Sequence, residues 1–173
     1  METEFTKLAK SRYSLKKFSD QPVEEEKLMA ILEAGNLAPT AKDSQPHRVY
    51  AVTSPTVLEK LGEGTPCIYG ATAVLVVTYD PDEVFVYPDG DQDSGAEDAA
   101  IVATHMMLEA KAQGVDSCWV NFFHSAPVKA AAGIPDKEKV IMLLDLGYPA
   151  EGAGPLANHT KRKPLEDTVK IIK

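Results

Sequence analysis

One apolar segment determines the architecture of this chain: Ala71-Thr72-Ala73-Val74-Leu75-Val76-Val77-Thr78-Tyr79. Its residues are apolar or β-branched almost without interruption, which is typical of a strand buried on both faces of a sheet. A second segment, from Lys139 to Leu146, has the same character and ends at Gly147-Tyr148-Pro149. The two segments predict the buried strands of a sheet.

The rest of the chain alternates between helical and extended patterns. Helical spacing of apolar residues predicts helices over 3–10, 23–36, 55–61, 97–113 and 126–132, and extended patterns predict further strands over 48–53 and 117–122. Helices and strands interleave too irregularly for a series of βαβ units, so we predict a single α+β domain over residues 1–173. The tail from Ala150 onward is Gly/Pro-rich, then basic, then apolar, and we expect it to form an arm that reaches a second subunit.

The composition excludes several classes of partner. The 173-residue chain has 18 Lys and Arg against 26 Asp and Glu, a formal net charge of −8, which would repel nucleic acids and anionic membranes. No apolar run is long enough to span a bilayer, and the acidic N-terminus lacks the apolar core of a signal peptide. Cys67 and Cys118 have no CxxC spacing, so we expect two free thiols and a cytoplasmic protein.

Two motifs match known patterns by their letters but not by their context. Residues 152–157 read GxGxxA, yet Pro155 and the polar stretch after it do not open the helix that a dinucleotide fingerprint needs. Asp89, Asp91 and Asp93 have the spacing of the first ligands of a calcium loop. The glycine and glutamate that such a loop requires further on are replaced by Ser94 and Ala100.

Other catalytic and metal-binding arrangements are not indicated. None of the four histidines has a second ligand at metal-binding spacing, so we predict no metal site. Neither a GxSxG elbow nor a Walker loop occurs. Cys118 lies inside an apolar strand pattern, where a buried and unreactive thiol is more common than a nucleophile.

A cluster of cations near the N-terminus is the first sign of a ligand site. The segment Ser11-Arg12-Tyr13-Ser14-Leu15-Lys16-Lys17-Phe18 contains three cations and two serines in an acidic protein. An arginine can hold a phosphate through two parallel hydrogen bonds, and a nearby serine can add a third. A short basic run is also typical of a solvated face, so the segment alone leaves both interpretations open.

Four segments, in order along the chain, resemble the nitroreductase family of FMN-dependent oxidoreductases. They are Arg12-x-Ser14-x-Lys16 with the following Lys17-Phe18-Ser19-Asp20-Gln21-Pro22-Val23, then 38–47 (APTAKDSQPH), then 114–120 (GVDSCWV), and finally 146–149 (LGYP) with 161–166 (KRKPLE). Each segment is short, but together they span nearly the whole chain in the order that the family has.

The resemblance implies a nitroreductase-like fold, with a mixed, mainly antiparallel central sheet flanked by helices. It also implies a domain-swapped type of homodimer with a C-terminal arm, which binds FMN at the subunit interface. Arg12 and Arg162 would meet the phosphate from the two ends of the chain, and Ser14 would add a hydroxyl. Tyr13 belongs to the same binding segment, and Lys16 would lie near the pyrimidine edge of the ring, where a cation stabilises the reduced flavin.

The remaining implied contacts come from two other segments. The second subunit would contribute Pro39, Thr40, Ala41, Ser44 and Gln45, with Thr40, Ser44 and Gln45 hydrogen-bonded to ring or ribityl oxygens. The backbone of Trp119, Val120 and Asn121 would lie against the ring, with a peptide N–H directed at N5. Separately, Gln45-Pro46 is also compatible with a simple turn, and Trp119 with an ordinary core residue.

By resemblance, the function is an FMN-dependent oxidoreductase. NADH or NADPH would reduce the flavin at N5, and a nitroaromatic, quinone or enone would then accept the electrons in a ping-pong reaction. An FMN-binding storage, sensing or delivery protein with little turnover is the alternative. Reductive dehalogenation and flavin fragmentation, which occur among relatives, are ranked lower because no lid residues for them can be identified.

Three departures from the family pattern bear on the site. Asp43 replaces an asparagine, which would place a carboxylate near an electron-rich ring and disfavour its anionic reduced form. His47 replaces an aromatic residue after Gln45-Pro46. The segment between Thr53 and Ala71 is also short, so the substrate pocket is expected to be relatively bare.

Overall fold

A four-stranded sheet organises the fold of residues 1–173, all of which the computed structural model describes. Its strands are β1 (His47–Val52), β2 (Ala73–Tyr79), β3 (Asp116–Val120) and β4 (Lys139–Gly147). They lie in the order β1-β2-β4-β3, and every neighbouring pair is antiparallel. The two most apolar strands, β2 and β4, therefore occupy the centre of the sheet.

Strand β2 is buried on both faces, as its sequence predicts. Successive side chains of a strand point to opposite faces. Ala73, Leu75 and Val77 accordingly join one apolar cluster, whereas Val74 and Val76 join a second cluster on the other face.

The fold has five helices, and all but the first contribute to the apolar clusters on these two faces. They are α1 (Glu4–Ser11), α2 (Glu25–Asn36), α3 (Pro55–Gly62), α4 (Gly95–Ala112) and α5 (Ser125–Ala132). Helices α2 and α4 pack together over the first cluster, and α3 and α5 pack together over the second. Single 3-10 turns occur at Ala41–Asp43 and Leu165–Asp167. None of the helices combines the length and the apolar character needed to cross a membrane.

Helix α4 shows that local sequence signals locate a helix but do not fix the exact residue at which it begins. Glu97 and Asp98 lie in its first turn, where they complement the helix dipole, and Gly114 adopts φ +75° just beyond its end. The helix nevertheless starts at Gly95, two residues earlier than predicted. A Cβ at Gly95 would lie 2.3 Å from the ring of Tyr79, so the absence of a side chain allows the first turn to pack against β2.

The segment after α1 adds a short contact to the edge of the sheet. Ser14 forms a parallel bridge with Ser117, the only parallel pairing in the fold, and the Leu15 N–H donates to the Ser117 carbonyl at 2.9 Å. Leu15 and Phe18 are buried in the second apolar cluster. Phe18 also bridges to Pro149. The basic N-terminal segment is therefore fixed along β3 rather than free in solvent.

The C-terminal tail is exposed and carries apolar side chains into solvent. Leu165, Ile171 and Ile172 are 71%, 82% and 94% exposed. Apart from the 3-10 turn, the tail from Ala150 onward has no helix or strand. The arm to a second subunit remains a prediction that this exposed surface motivates.

Candidate functional site

Both ends of the chain meet in one cleft of about 300 Å³. Arg12, Ser14 and Lys16 line it from the N-terminal segment, and Arg162 lines it from the tail. Leu156, Asn158 and His159 complete the lining. Three cations and no carboxylate therefore face one space in a chain whose net charge is −8. We refer to this space as the first cleft.

The cations of the first cleft are not neutralised by the protein. Arg12, Lys16 and Arg162 take part in none of the ion pairs of the chain. Arg162 Nη1 instead donates to the carbonyls of His159 and Lys161, at 2.7 Å each. Since Leu15 points into the core between them, Ser14 and Lys16 share the face that lines the cleft.

Tyr13 has a different position from its neighbours. Its hydroxyl donates to Asp116 Oδ2 at 2.8 Å, while Lys111 Nζ lies 2.7 Å from Asp116 Oδ1. Burial and the Asp116 carboxylate raise the pKa of Tyr13 to about 12. Tyr13 does not line the first cleft; it attaches the N-terminal segment to the start of β3, and its ring meets His159 edge-on at 6.2 Å.

A second cleft of about 420 Å³ lies at the far end of β3. Residues Gly62–Pro66 line one side and Asn121–His124 the other. The Thr65 hydroxyl donates to the Phe122 carbonyl at 2.5 Å, and the His124 N–H donates to the Gly64 carbonyl at 2.8 Å. These bonds hold the two sides together, while the Phe122 side chain remains 72% exposed.

Strand β3 connects the two clefts. The bridge to Ser14 is at Ser117, near its start, and Asn121 follows its last residue, Val120. Four residues of extended chain span about 13 Å. An elongated ligand lying along β3 could therefore reach both clefts.

Hydrogen bonds and apolar contacts hold the side chains at the end of β3 in place. Trp119 Nε1 donates to Asn121 Oδ1 at 2.6 Å, and Asn121 Nδ2 donates to the Ile141 carbonyl at 2.9 Å. Trp119 packs against the first apolar cluster, whereas Val120 is buried in the second. Asn121 is the one residue of this predicted trio that lines a cleft.

The predicted partner segment, 39–45, lies apart from the first cleft of its own chain. None of Pro39, Thr40, Ala41, Ser44 and Gln45 lines either cleft. The Ala41 N–H donates to Asp98 Oδ1 at 2.8 Å, and the Gln45 N–H donates to Thr40 Oγ1 at 3.1 Å. The segment is therefore a loop between α2 and β1 that these hydrogen bonds hold in place.

This loop is strained and is surrounded by unsatisfied polar atoms. Lys42, Asp43 and Gln45 have φ of 52°, 53° and 49°, a region that costs roughly 1 kcal/mol or more for each non-glycine residue. Three of the five buried side-chain atoms without a hydrogen-bond partner are Ser44 Oγ, His47 Nδ1 and Asp98 Oδ2. Burial lowers the pKa of His47. Strain and unpaired polar groups together are typical of ligand-binding segments.

Sequence reasoning missed several residues of these surfaces. Asn158 and His159 line the first cleft, and 62–66 with 122–124 line the second, but only the tertiary structure brings them there. Asp145 was also missed, although its sequence signal was available: it is a single acid inside the apolar pattern of β4. Its side chain is fully buried, and neither carboxyl oxygen has a partner.

Comparison with known proteins gives a consistent result. A model described as the nitroreductase family matches residues 9–65 and 62–148. A protein of Archaeoglobus fulgidus, provisionally named an NADH dehydrogenase/NAD(P)H nitroreductase, is 28% identical over 155 residues, which is 86% of this chain and 87% of that protein.

Two solved structures share the fold over nearly their whole length. A nitroreductase family protein from Clostridium difficile 630 superposes with a TM-score of 0.90 at 32% identity, covering 97% of this chain and 98% of the other. A nitroreductase with bound FMN from Bacteroides fragilis NCTC 9343 has a TM-score of 0.81 at 26% identity, covering 99% and 100%. These similarities confirm the predicted nitroreductase-like α+β fold, whose four-stranded sheet is wholly antiparallel rather than mixed.

Proposed function

This chain belongs to the nitroreductase family, and on that premise we propose that it is an FMN-dependent oxidoreductase. It uses NADH or NADPH to reduce a small oxidised acceptor. A similar structure contains bound FMN, and the name of a similar protein includes NAD(P)H. The observation that carries the proposal is the first cleft, where three unpaired cations from the two ends of the chain surround one space.

The residues of the first cleft fit the phosphate end of FMN. Arg12 and Arg162 hold guanidinium groups there with no carboxylate to compete, and Ser14 adds a hydroxyl. Guanidinium–phosphate hydrogen bonds are among the strongest that proteins make, since both partners are charged. A neutral or cationic ligand would leave these cations unpaired.

The second cleft fits the ring end of the same molecule. FMN carries its phosphate and its flat ring at opposite ends of the ribityl chain, so it has the length to lie along β3 from one cleft to the other. The Asn121 side chain is held by Trp119 and Ile141, so the backbone at the end of β3 is kept in place beside the ring. When bound, FMN supplies the hydride-accepting and hydride-donating centre, N5.

Lys16 lines the first cleft, so it would meet the pyrimidine edge only if the ring extends along β3 from the second cleft towards the first. Its Nζ lies 5.8 Å from the centre of the Tyr69 ring and has no carboxylate partner. An uncompensated cation stabilises negative charge that develops on a neighbouring group during reduction.

We further propose a homodimer in which the strained loop of one subunit completes the site of the other. The loop is prepared for a ligand by its left-handed residues and by the unpaired Ser44 Oγ, yet it lines neither cleft of its own chain. Thr40, Ser44 and Gln45 would then hydrogen-bond to the partner's FMN. The exposed apolar tail, with Ile171 and Ile172, supplies a surface for the same association.

The acceptor is expected to be small and flat. The second cleft is bordered by the exposed Phe122 ring, which offers an aromatic face to a planar molecule. Nitroaromatics, quinones and enones have this shape, and each accepts two electrons with protons from solvent.

An absorption spectrum of the purified protein tests the proposal. We expect flavin absorption after addition of FMN and removal of excess ligand, and bleaching of that absorption by NADH or NADPH under anaerobic conditions. A quinone or a nitroaromatic should then restore it. Flavin that binds but is bleached by neither nucleotide would favour a storage or sensing protein, and failure to bind FMN would contradict the proposal.

A further inference from the structure

One hydrogen bond joins the strained loop, residues 39–45, to helix α4. The Ala41 N–H donates to Asp98 Oδ1 at 2.8 Å. The other hydrogen bonds of residues 40–44 connect residues within the loop to one another. Asp98 is therefore the one hydrogen-bond partner that residues 40–44 have outside the loop.

A second hydrogen bond fixes the far end of the loop at the same corner of the fold. The Asp80 N–H, just beyond β2, donates to the Pro46 carbonyl at 2.8 Å. The ring of Tyr79, the last residue of β2, lies against Gly95 in the first turn of α4. Asp98 follows Gly95 by about one turn of this helix. Because α4 and β2 pack together, the chain between the two hydrogen bonds must span a fixed distance.

The strained backbone lies between these two hydrogen bonds. Lys42, Asp43 and Gln45, the three left-handed residues of the loop, all come after Ala41 and before Pro46. Non-glycine residues keep such a conformation only where their surroundings over-determine it. If the bond at Ala41 were lost, this segment would be held at one end only, and its residues could relax to conformations of lower energy.

The buried carboxyl of Asp98 makes its single hydrogen bond to this loop. Asp98 is 1% exposed, and its Oδ2 has no partner. The buried acids Asp80 and Asp116 pair with lysines, and Glu138 accepts hydrogen bonds on both oxygens. An unpaired buried oxygen destabilises the folded state. The contact with Ala41 is therefore the one role of the Asp98 side chain that the structure shows.

We propose that Asp98 is a positioning residue, which holds the strained loop in the conformation that contacts the FMN of the other subunit. Asp98 is too deeply buried to meet the ligand itself, so it acts through the backbone of Ala41. Its effect concerns the ring and ribityl end of FMN, because Thr40, Ser44 and Gln45 are proposed to bind there. The inference rests on the proposed function, in which the loop completes the partner's site.

The first test compares Asp98→Ala with Asp98→Asn. Asp98→Ala removes the acceptor of the Ala41 N–H, and we expect its affinity for FMN and for riboflavin to fall equally, by about tenfold. Asp98→Asn keeps one acceptor oxygen and should bind both ligands within about twofold of the wild type. Quenching of flavin fluorescence measures both affinities. Equal losses in the two variants, or a loss confined to FMN, would overturn the inference.

Glu97→Ala is the matched control for these variants. Glu97 lies beside Asp98 in the first turn of α4, but its carboxyl accepts the Tyr87 hydroxyl and has no bond to the loop. Its removal takes an acid from the same helix terminus, and the variant should bind both ligands like the wild type. A loss in Glu97→Ala equal to that in Asp98→Ala would assign the effect to the helix rather than to the loop, and it would contradict the inference.

Mixed dimers test whether the loop acts on the other subunit. A subunit with Arg12→Ala keeps an intact loop, and a subunit with Asp98→Ala keeps an intact first cleft. In a dimer of the two, one site combines both intact parts and the other combines both defects. When the subunits are exchanged in equal amounts, about one quarter of all sites should bind FMN with wild-type affinity. If no such fraction appeared, the loop would not act across the dimer and the inference would be overturned.

Hydrogen exchange in protein without flavin keeps the inference separate from the proposed function. The Ala41 amide should exchange at least about tenfold faster in Asp98→Ala than in the wild type, whereas Asp98→Asn should retain the protection. Unchanged exchange in Asp98→Ala would overturn the inference even if FMN binds. If the wild type binds no FMN, the proposed function fails, and the positioning of the loop by Asp98 stands or falls on the exchange of Ala41 alone.

Discussion

The two arginines of the first cleft lie in distant segments of the chain, and each can be substituted without disturbing the core. Arg162→Ala removes a guanidinium from the exposed tail, and Arg12→Ala removes one from the end of α1. Loss of a charge-assisted hydrogen bond costs about 1.5–3 kcal/mol. We expect FMN affinity to fall about 10–100-fold for each variant, with riboflavin affinity nearly unchanged, as measured by fluorescence titration.

Lys17→Ala is the matched control for these variants. Lys17 belongs to the same basic segment, but it does not line the cleft, and its Nζ donates to the Glu151 carbonyl. A loss of FMN affinity in Lys17→Ala equal to that of Arg12→Ala would show that general charge, rather than the cleft, attracts the ligand.

Asp145 also predicts how stability depends on pH. Its folded-state pKa is about 9, whereas an aspartate in the unfolded chain titrates near ~3.9. Between these values the unfolded state releases a proton that the folded state retains, so the free energy of unfolding must fall as pH rises. Below the lower value, both states are protonated and this effect disappears.

Urea unfolding of wild-type protein and Asp145→Asn measures this effect. The wild-type free energy of unfolding should fall more steeply between about pH 5 and pH 9 than that of Asp145→Asn, which has no carboxyl to ionise. Equal slopes in the two proteins would show that Asp145 is not held neutral in the folded state.

At the scale of elements, the first turn of α4 can contact β2 only because Gly95 has no side chain. Gly95→Ala places a Cβ 2.3 Å from the Tyr79 ring, so the ring or the helix must move. Overpacking of this kind typically costs about 1–3 kcal/mol. We expect the midpoint of urea unfolding to fall, while the dependence of the free energy of unfolding on urea concentration stays unchanged.

Gly62→Ala provides the comparison for Gly95→Ala. Gly62 is the last residue of α3, and a Cβ there would meet nothing within 4 Å. Alanine has the higher helix propensity, so this variant should be as stable as the wild type or slightly more stable. If both variants lost the same stability, the contact with Tyr79 would not be the cause.

The elements also show how far the sequence could predict this structure. Apolar runs located β2 and β4, and helical spacing with Gly114 located α4, because these signals are local. The strand order was not predictable in the same way, since it depends on pairing between segments far apart in the chain. The four-segment resemblance, rather than any pattern of spacing, supplied the fold class.

Residue patterns alone indicated the candidate site only where its residues are consecutive, in the segment of Arg12, Ser14 and Lys16, and there they left an anion site and a solvated face both open. The resemblance added Arg162, which the structure places in the same cleft. The second cleft and the strained loop depend on backbone conformation, such as the left-handed Lys42, that no residue pattern specifies. Their roles toward FMN stay predictions.

At the scale of the whole molecule, the exposed tail predicts that association depends on its last residues. Truncation after Pro164 removes Leu165, Ile171 and Ile172 but keeps Arg162 in the first cleft. We expect the full chain to have twice its 18.7 kDa mass in light scattering, and the truncated chain to dissociate as the concentration falls. Burial of exposed apolar side chains is the driving force that the truncation removes.

A milder variant distinguishes loss of apolar contact from loss of backbone. Ile171→Ser combined with Ile172→Ser keeps the length of the tail and removes its two most exposed apolar side chains, and it should dissociate like the truncated chain. A full-length protein that is already monomeric would contradict both the predicted homodimer and the proposed role of the partner loop.

The construction of the first cleft from both chain ends has a consequence for biosynthesis. Arg12 and Arg162 are separated by 150 residues, and a ribosome adds about 5–20 residues per second. The N-terminal half of the cleft is therefore made roughly 8–30 s before its counterpart. If the first cleft holds the phosphate of FMN, as proposed, a nascent chain cannot complete that binding site until translation has passed Arg162, and cofactor loading would then be a late event in synthesis.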